Sequence, residues 1–312
     1  MDTPTPGNVQ LRHPTGITKV QDGEGDTMVA YNDVGFIDMP PISNLEEKMA
    51  QMSDFKCRSD DVFVCSFPKS GTHLVWTITS MLVDSSQYPS YPERALDDAL
   101  LEFEGPSALT SNLPPPRVMA SHLGVVKMPP SVLSSAKIVV VYRNPKDAYV
   151  SFYHQLRGLK WREYSGTWSG FFELMMQRNE QHLGGPESFI SWVDHTKGWW
   201  EFAKKNSNVT FVRYEDLVSD PIPTIKRISD FLDLQREAAT LEHIAMKCKF
   251  DSMKKARDDK DGWDQENWKD TSAGIYRKGK IGDWKNLLTV AQNERFDSLI
   301  KRRFSQTGFS LT

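Results

Sequence analysis

Two patterns of apolar residues alternate along this chain. In one, short unbroken apolar runs recur at residues 62–66, 117–121, 137–142 and 209–214. The clearest, Lys137-Ile138-Val139-Val140-Val141-Tyr142, is rich in β-branched residues and does not alternate with polar ones. A strand of that kind is buried on both faces. In the other pattern the spacing predicts helices over 43–53, 74–82, 95–104, 147–155, 168–178, 188–205 and 223–232, the first capped by Ser43 or Asn44. Strands alternating with helices predict an α/β fold: a central parallel sheet of about five strands with helices on both faces. Neither a repeat nor a linker interrupts the pattern, so one domain is expected over 27–312. Residues 1–26, polar and rich in Pro, Gly and Asp, read as a flexible leader. The apolar, Pro-bounded stretch 34–42 reads as a strap over the core or over a pocket.

In open parallel sheets, ligands bind beyond the carboxyl ends of the strands, so the residues at those ends matter most. After the first strand comes Phe67-Pro68-Lys69-Ser70-Gly71-Thr72-His73, leading straight into a helix. Strand, tight turn and helix N-terminus make an anion site, because the first helical N–H groups lack intrahelical partners and the dipole favours negative charge. Lys69 adds a full positive charge, and Ser70 and Thr72 add hydroxyls. This is a P-loop-like phosphate cradle, but not the G-x-x-x-x-G-K-[ST] loop of ATP and GTP sites, since Lys69 precedes the only Gly. After the second strand comes Ser121-His122, after the third Arg143-Asn144-Pro145, and after the fourth Tyr214-Glu215-Asp216. Asn144 suits an N-cap and Pro145 a first helical residue. Arg143 at the strand end and Ser151 about two turns into the helix can face one anion, which a planar guanidinium grips bidentately. Taken singly, Arg143 reads rather as an exposed Arg beside a helix cap, and His122 as a hydrogen-bonded histidine at a strand end; their placement on one rim reverses that reading.

Composition removes other classes. Of 312 residues, 38 are Lys or Arg and 41 Asp or Glu, a net charge of −3 that offers no electrostatic case for nucleic-acid or membrane binding. Three scattered cysteines, Cys57, Cys65 and Cys248, form neither a disulfide framework nor a metal-ligand pattern, so no metal is expected. The N-terminus lacks a signal-peptide apolar region, and no apolar run is long enough to span a bilayer. The expectation is a cytoplasmic protein with reduced thiols.

With these motifs in order, the chain resembles the cytosolic sulfotransferases over nearly its whole length after the first few dozen residues. The resemblance rests on Phe67–Thr72, on Ser121-His122-Leu123, and on Tyr142–Asp147 with Ser151-Phe152-Tyr153-His154. It rests further on Tyr214-Glu215-Asp216-Leu217 and on the C-terminal block Arg277-Lys278-Gly279-Lys280-Ile281-Gly282-Asp283-Trp284-Lys285-Asn286. It implies a transferase that moves a sulfuryl group from 3′-phosphoadenosine 5′-phosphosulfate (PAPS) to a hydroxyl, or an amine, of a small apolar acceptor such as a phenol, sterol or alcohol. The donor would leave as 3′,5′-ADP. By matching position, Lys69, Ser70, Gly71 and Thr72 would hold the 5′-phosphosulfate. Arg143, Ser151, Arg277, Lys278 and Gly279 would hold the 3′-phosphate. Tyr214 would contact the adenine, with Phe250 and Met253 around the nucleoside. His122 would be the catalytic base, and Lys69 would offset charge on the leaving oxygen. Ser151 would also restrain Lys69 before the acceptor arrives.

The departures from that pattern are specific. The family's loop usually continues Thr-Trp, the Trp stacking on adenine. Here His73 and Leu74 follow Thr72, and Trp76 lies about 200° around the helix, on another face. The residue two before the base, often Lys, is Ala120, and the usual Leu-Pro after the His is Leu123-Gly124. The spacing Lys285-x-x-x-Thr289-Val290-x-x-x-Glu294 matches the family's small two-fold contact and implies a homodimer. Residues 251–275, with Trp263 and Trp268, read as a lid. Phe36, Ile37, Met39, Tyr88, Tyr91, Phe103, Phe152, Tyr153, Trp161 and Trp168 are candidate acceptor-pocket walls. Two other readings stay open: a PAPS-binding homologue without catalysis, which the missing Trp at position 74 suggests, and a nucleotide-dependent phosphoryl transferase.

Overall fold

The computed structural model describes residues 11–12, 17–31, 45–93, 95–113, 115–160, 164–180, 191–258, 267–269 and 274–311. The strap at 34–42, with Phe36, Ile37 and Met39, falls outside them, as does Trp161. At the centre is a parallel four-stranded sheet of order β5-β4-β6-β7, where β4 is Val62–Ser66, β5 Val118–Ser121, β6 Lys137–Tyr142 and β7 Val209–Arg213. In register, Val62 faces Val118 and Lys137, and Tyr142 faces Arg213. All five residues of β4 are buried, as are the middle four of β6. Successive side chains of a strand point to opposite faces, so these strands are covered above and below.

The chain leaves β4 toward β5 on one side and returns to β6 on the other. The crevice between the ends of β4 and β6 is therefore the topological switch point, where ligands bind in such sheets. Helix α2 (Thr72–Val83) follows β4, α5 (Pro145–Gly158) follows β6, and α8 (Tyr214–Ser219) follows β7. Tyr214, expected at a strand end, is the first helical residue. Between β4 and β5 a 3₁₀ turn, Asp97–Ala99, leads into α3 (Leu101–Asn112), which breaks at Gly105, where φ is 79°, just before Pro106. One apolar core sits around the sheet. A second is built by α5, α6 (Trp168–Glu180), α7 (Trp192–Ala203) and α12 (Val290–Phe304) around Trp192, Phe171 and Phe296. Phe152, Tyr153 and Trp168, expected as pocket walls, belong to that second core. Among the described residues no helix is long and apolar enough to cross a membrane.

The N-terminal segment differs from expectation. Its described residues form an antiparallel ribbon of β1 (Leu11–Arg12), β2 (Ile17–Gln21) and β3 (Thr27–Tyr31), separate from the central sheet. The cause is Asp22, buried in the β2–β3 turn. One carboxylate oxygen accepts from Glu24 N (2.9 Å) and Asp26 N (3.0 Å), the other from the Tyr164 hydroxyl (2.7 Å). Gly23 N donates to Gly170 O (3.0 Å), and a side chain at Gly170 would collide with Asp22. A ribbon marginal by itself is thus tied to the start of α6.

At the far end of the sheet Arg117 and Asp61 form a buried ion pair, 2% and 0% exposed. Arg117 Nε donates to Asp61 Oδ1 at 2.7 Å, its Nη2 reaches Asp61 Oδ2 and Lys56 O, and Arg58 N donates to the same carboxylate at 2.7 Å. Removing one member strands the other charge in the interior. Asp61→Ala is expected to lower unfolding free energy in urea by about 3–5 kcal/mol, with Asp61→Leu/Arg117→Met recovering most of the loss. A single variant as stable as wild type would contradict this account.

Candidate active site

The loop after β4 is shaped for close approach. Lys69 takes a left-handed conformation (φ 65°) and Gly71 follows at φ 106°. A Cβ on Gly71 would stand 2.5 Å from Tyr214 Cδ2, so the ring of Tyr214 occupies the space that a side chain would need. Ser66 Oγ and Thr72 Oγ1, 2.6 Å apart, join the strand end to the helix start. Gly71 is the N-cap of α2 and offers no side chain to its N–H groups. Ser70 is fully buried, and its Oγ has no hydrogen-bond partner among the described residues. Uncapped N–H groups, an orphan hydroxyl and a lysine make a cradle with its donors set for an anion.

Arg143, at the end of β6, joins this loop to the C-terminal turn. Its Nη1 donates to Lys69 O (3.0 Å), its Nη2 to Lys280 O (3.4 Å), and its guanidinium lies 4.4 Å from the centre of the Tyr214 ring. Its Nε has no partner among the described residues. Asn144 caps α5 through Lys146 N (3.0 Å), and Asn144 N donates to Glu215 Oε1 (2.8 Å). Asp147, nearly buried, accepts from Gly282 N (2.7 Å) and Trp284 N (3.0 Å), which docks the C-terminal block on α5. Within that block Asp283 accepts from Arg277 Nη2 (2.6 Å), Lys278 Nζ (2.8 Å) and Asn286 Nδ2 (2.9 Å). Burial pushes the Asp283 pKa up, but the hydrogen bonds from Lys278, Arg277 and Asn286 outweigh it and hold the carboxyl well below its ordinary range. Gly279, φ 60°, admits the Phe250 ring, whose Cδ2 would lie 2.1 Å from a Cβ there.

His122 stands just past β5. Its Nδ1 lies 2.9 Å from the Ser66 carbonyl oxygen. A carbonyl only accepts, so Nδ1 carries the hydrogen, and in the neutral ring Nε2 keeps its lone pair. Behind it, the buried Glu102 on α3 accepts from His122 N (2.7 Å) and Ser121 Oγ (2.9 Å).

These elements enclose a cavity of about 500 Å³ whose wall includes Lys69, Gly71, Thr72, His73, Leu74, His122, Arg143, Ser151, Tyr214, Phe250, Met253, Arg277, Lys278 and Gly279. Of the catalytic and donor-binding candidates named from the sequence, only Ser70 is absent from that wall. Of the six candidate pocket walls among the described residues, only Phe103 lines it, and Tyr88 is exposed. Trp76 faces away, its Nε1 donating to Val118 O (3.0 Å). Leu74 lines the wall, and Tyr276 meets both His73 (6.0 Å between ring centres) and Phe250 (6.2 Å) edge to face. Burial, then the charges of Arg257, Lys69 and His122, push the His73 pKa well below its usual value. The expected lid is partly helix: α11 spans Phe250–Asp258, and 259–266, with Trp263, lie outside the described residues. Trp268 is buried, not exposed. Its ring fills the space beside Gly158, and Lys160 N–Asn267 O and Lys269 N–Gly158 O bonds (2.8 Å each) hold the segment to the end of α5. Sequence reasoning missed Glu102, Asp283, Tyr276 and the wall residue Gln155. Glu102 acts through partners remote in sequence and Tyr276 through ring contacts, whereas Asp283 sat inside a motif with its partners three to six residues away.

Comparison with known proteins follows the same lines. A family model described as "Sulfotransferase domain" matches residues 59–308. The chain is 30% identical to sulfotransferase 1C2 of Rattus norvegicus over 273 residues, 85% of this chain and 90% of that one. It is 33% identical to an amine sulfotransferase of Oryctolagus cuniculus over 261 residues, 81% and 83% of the two chains. Among solved structures, mouse sulfotransferase SULT7A1 complexed with PAP superposes with a TM-score of 0.66 at 28% identity, covering 85% of this chain and 90% of that one. Retinol dehydratase in a complex with retinol and PAP shares the fold with a TM-score of 0.70 at 20% identity, covering 99% of both chains.

The Asp283 cluster gives a pH signature. A carboxyl whose folded pKa is depressed stabilises the protein above its unfolded pKa, about 3.9, and loses that contribution as pH falls through the lower folded value. Asp283→Asn is expected to cost about 2 kcal/mol at pH 7. The gap to wild type should stay constant from neutral pH to about pH 5 and shrink below about pH 4. Parallel stability curves down to acid-induced unfolding would show that Asp283 is not held in this way.

Proposed function

The chain belongs to the sulfotransferase domain family, and from that membership we propose that it transfers the sulfuryl group of PAPS to a hydroxyl, or an amine, of a small, largely apolar acceptor, with His122 as base. The observation that carries this reading is the 2.9 Å contact of His122 Nδ1 with the Ser66 carbonyl oxygen. With Nδ1–H given to the Ser66 carbonyl, Nε2 is the basic nitrogen on the histidine that lines the cavity beside Lys69. The PAP complex of mouse SULT7A1, 28% identical, supports the choice of donor.

The residues present fit such a donor. The uncapped start of α2, the orphan Ser70 Oγ and Lys69 suit the 5′-phosphosulfate, with Gly71 and Thr72 forming the turn. Arg143, with a donor to spare at Nε, suits the 3′-phosphate, together with Ser151 and the Arg277-Lys278-Gly279 turn. Tyr214, Phe250 and Met253 would receive the adenosine, with Leu74, His73 and Tyr276 taking the side where the family's Trp is absent. PAPS supplies an activated sulfuryl group and leaves as 3′,5′-ADP. His122 Nε2 takes the proton of the attacking hydroxyl, and the Ser66 carbonyl steadies the imidazolium that results. Glu102, bonded to the backbone of His122, keeps the ring in register as a positioning residue. Lys69 offsets the charge that develops on the departing oxygen, and Ser151 restrains Lys69 until the acceptor is in place. Because the charge is met by these cations and a helix N-terminus, no metal has a role in this scheme.

Titration calorimetry should show 3′-phosphoadenosine 5′-phosphate binding far more tightly than ADP or ATP. His122→Ala should lower turnover by about 10²–10⁴-fold while leaving that affinity nearly unchanged, and EDTA should have no effect. Retained turnover in His122→Ala would remove the base. Equal binding of the three nucleotides would remove the 3′-phosphate assignment. A homodimer completes the proposal. Lys285 and Glu294 are exposed, Val290 between them is 75% exposed, and a Thr289–Gln292 capping box fixes the start of α12. Sedimentation equilibrium is expected to give a dimer for wild type and a monomer of unchanged melting temperature for Glu294→Lys. A monomeric wild type would rule the contact out.

A further inference from the structure

Gln155 is the wall residue whose burial demands a partner that no described residue supplies. It lies one turn after Ser151 on α5, about 6 Å further along the axis and on the same helix face, and both residues line the cavity. Gln155 is 5% exposed, and its Oε1 has no hydrogen-bond partner among the described residues. Its neighbours include the fully buried Phe152 and Leu156 on the helix and Leu159 just past its end. An amide oxygen only accepts, so the missing partner must donate: a hydroxyl or an N–H. The phosphate contacts proposed above end one turn earlier, at Ser151. Leu96, Leu100 and Phe103 supply an apolar wall to the same cavity, where the body of a flat acceptor is buried most favourably.

Resting on the reading that the chain sulfonates a small acceptor, we infer that Gln155 is a specificity-determining residue whose Oε1 receives a hydrogen bond from a second polar group of that acceptor. The favoured acceptor is then bifunctional, a diol or an amino alcohol, with one hydroxyl at His122 and a hydroxyl or amine at Gln155. A site that hydrogen-bonds a substrate group rejects the analogue lacking it more strongly than an apolar pocket discriminates by size, because its own buried acceptor is left unpaired.

The test is calorimetric titration of the enzyme saturated with 3′-phosphoadenosine 5′-phosphate, which needs no turnover. The probes are para-alkylphenols of graded chain length in three series, ending in methyl, hydroxyl or primary amine. At the length that reaches Gln155, the hydroxyl- or amine-ended phenol is expected to bind about tenfold more tightly than its methyl-ended twin. Which series gains distinguishes the two donor groups. Gln155→Leu is expected to abolish that difference and leave the methyl-ended series unchanged or tighter, while Gln155→Glu, which keeps an accepting oxygen, retains a preference. The inference is overturned if Gln155→Leu weakens all three series alike, if it weakens the nucleotide instead, or if no series binds wild type. Sulfuryl transfer to the same phenols is scored separately. A polar preference without turnover sinks the proposed activity and leaves the Gln155 assignment standing. Turnover without preference does the reverse.

Discussion

Four loops carrying cationic or basic groups converge on one rim of the sheet, and buried carboxylates keep them there. Glu102 holds the backbone at His122, Glu215 the backbone at Asn144, Asp147 the backbone at Gly282 and Trp284, and Asp283 the side chains of Arg277 and Lys278. Without them the rim would gather Lys69, Arg143, Arg277 and Lys278 in a low-dielectric crevice, with mutual repulsion as the main term. A charge-assisted bond to a buried carboxylate is stronger than one between neutral groups, so three of the loops are fixed by acids, and the Lys69 loop is held in turn by Arg143, which donates to Lys69 O. The site is preorganised by acids that need not touch a ligand.

The strands and the functional loops were legible because their signals are local. A β-branched run such as 137–142 needs no partner to be recognised, and a loop at a strand end inherits its position from the strand. The anchors were not legible, since nothing in the neighbourhood of Glu102 distinguishes it from any other acid on a helix; its role exists only because α3 lies against β5. The N-terminal ribbon was hidden for the same reason: polar, Gly-rich sequence becomes strand only through Asp22 meeting Tyr164 and α6. Trp268 was misread in the opposite sense. An aromatic residue in a charged stretch looks exposed until Gly158 is seen to leave room for its ring. Gln155 gave no sign at all, because a glutamine on a helix is ordinary until its surroundings are known.

Departures from the family pattern are absorbed locally. Leu74 stands where the family has Trp, and beside it on the cavity wall Tyr276 meets His73 and Phe250 edge to face, an arrangement that keeps aromatic surface on the cavity without a flat stacking partner. Ala120, where the family often has Lys, is fully buried in the core around the sheet and is not part of the cavity wall.

Tyr214 touches both halves of the cradle: one edge of its ring fills the space above Gly71, and its face lies against the Arg143 guanidinium. It is therefore a brace. Arg143 also holds the carbonyl of Lys69 directly, so the loop after β4, the strand end of β6 and the first residue of α8 lock one another in a closed triangle. A smaller side chain at position 214 would loosen two sides of that triangle at once, the packing above Gly71 and the support beneath the guanidinium.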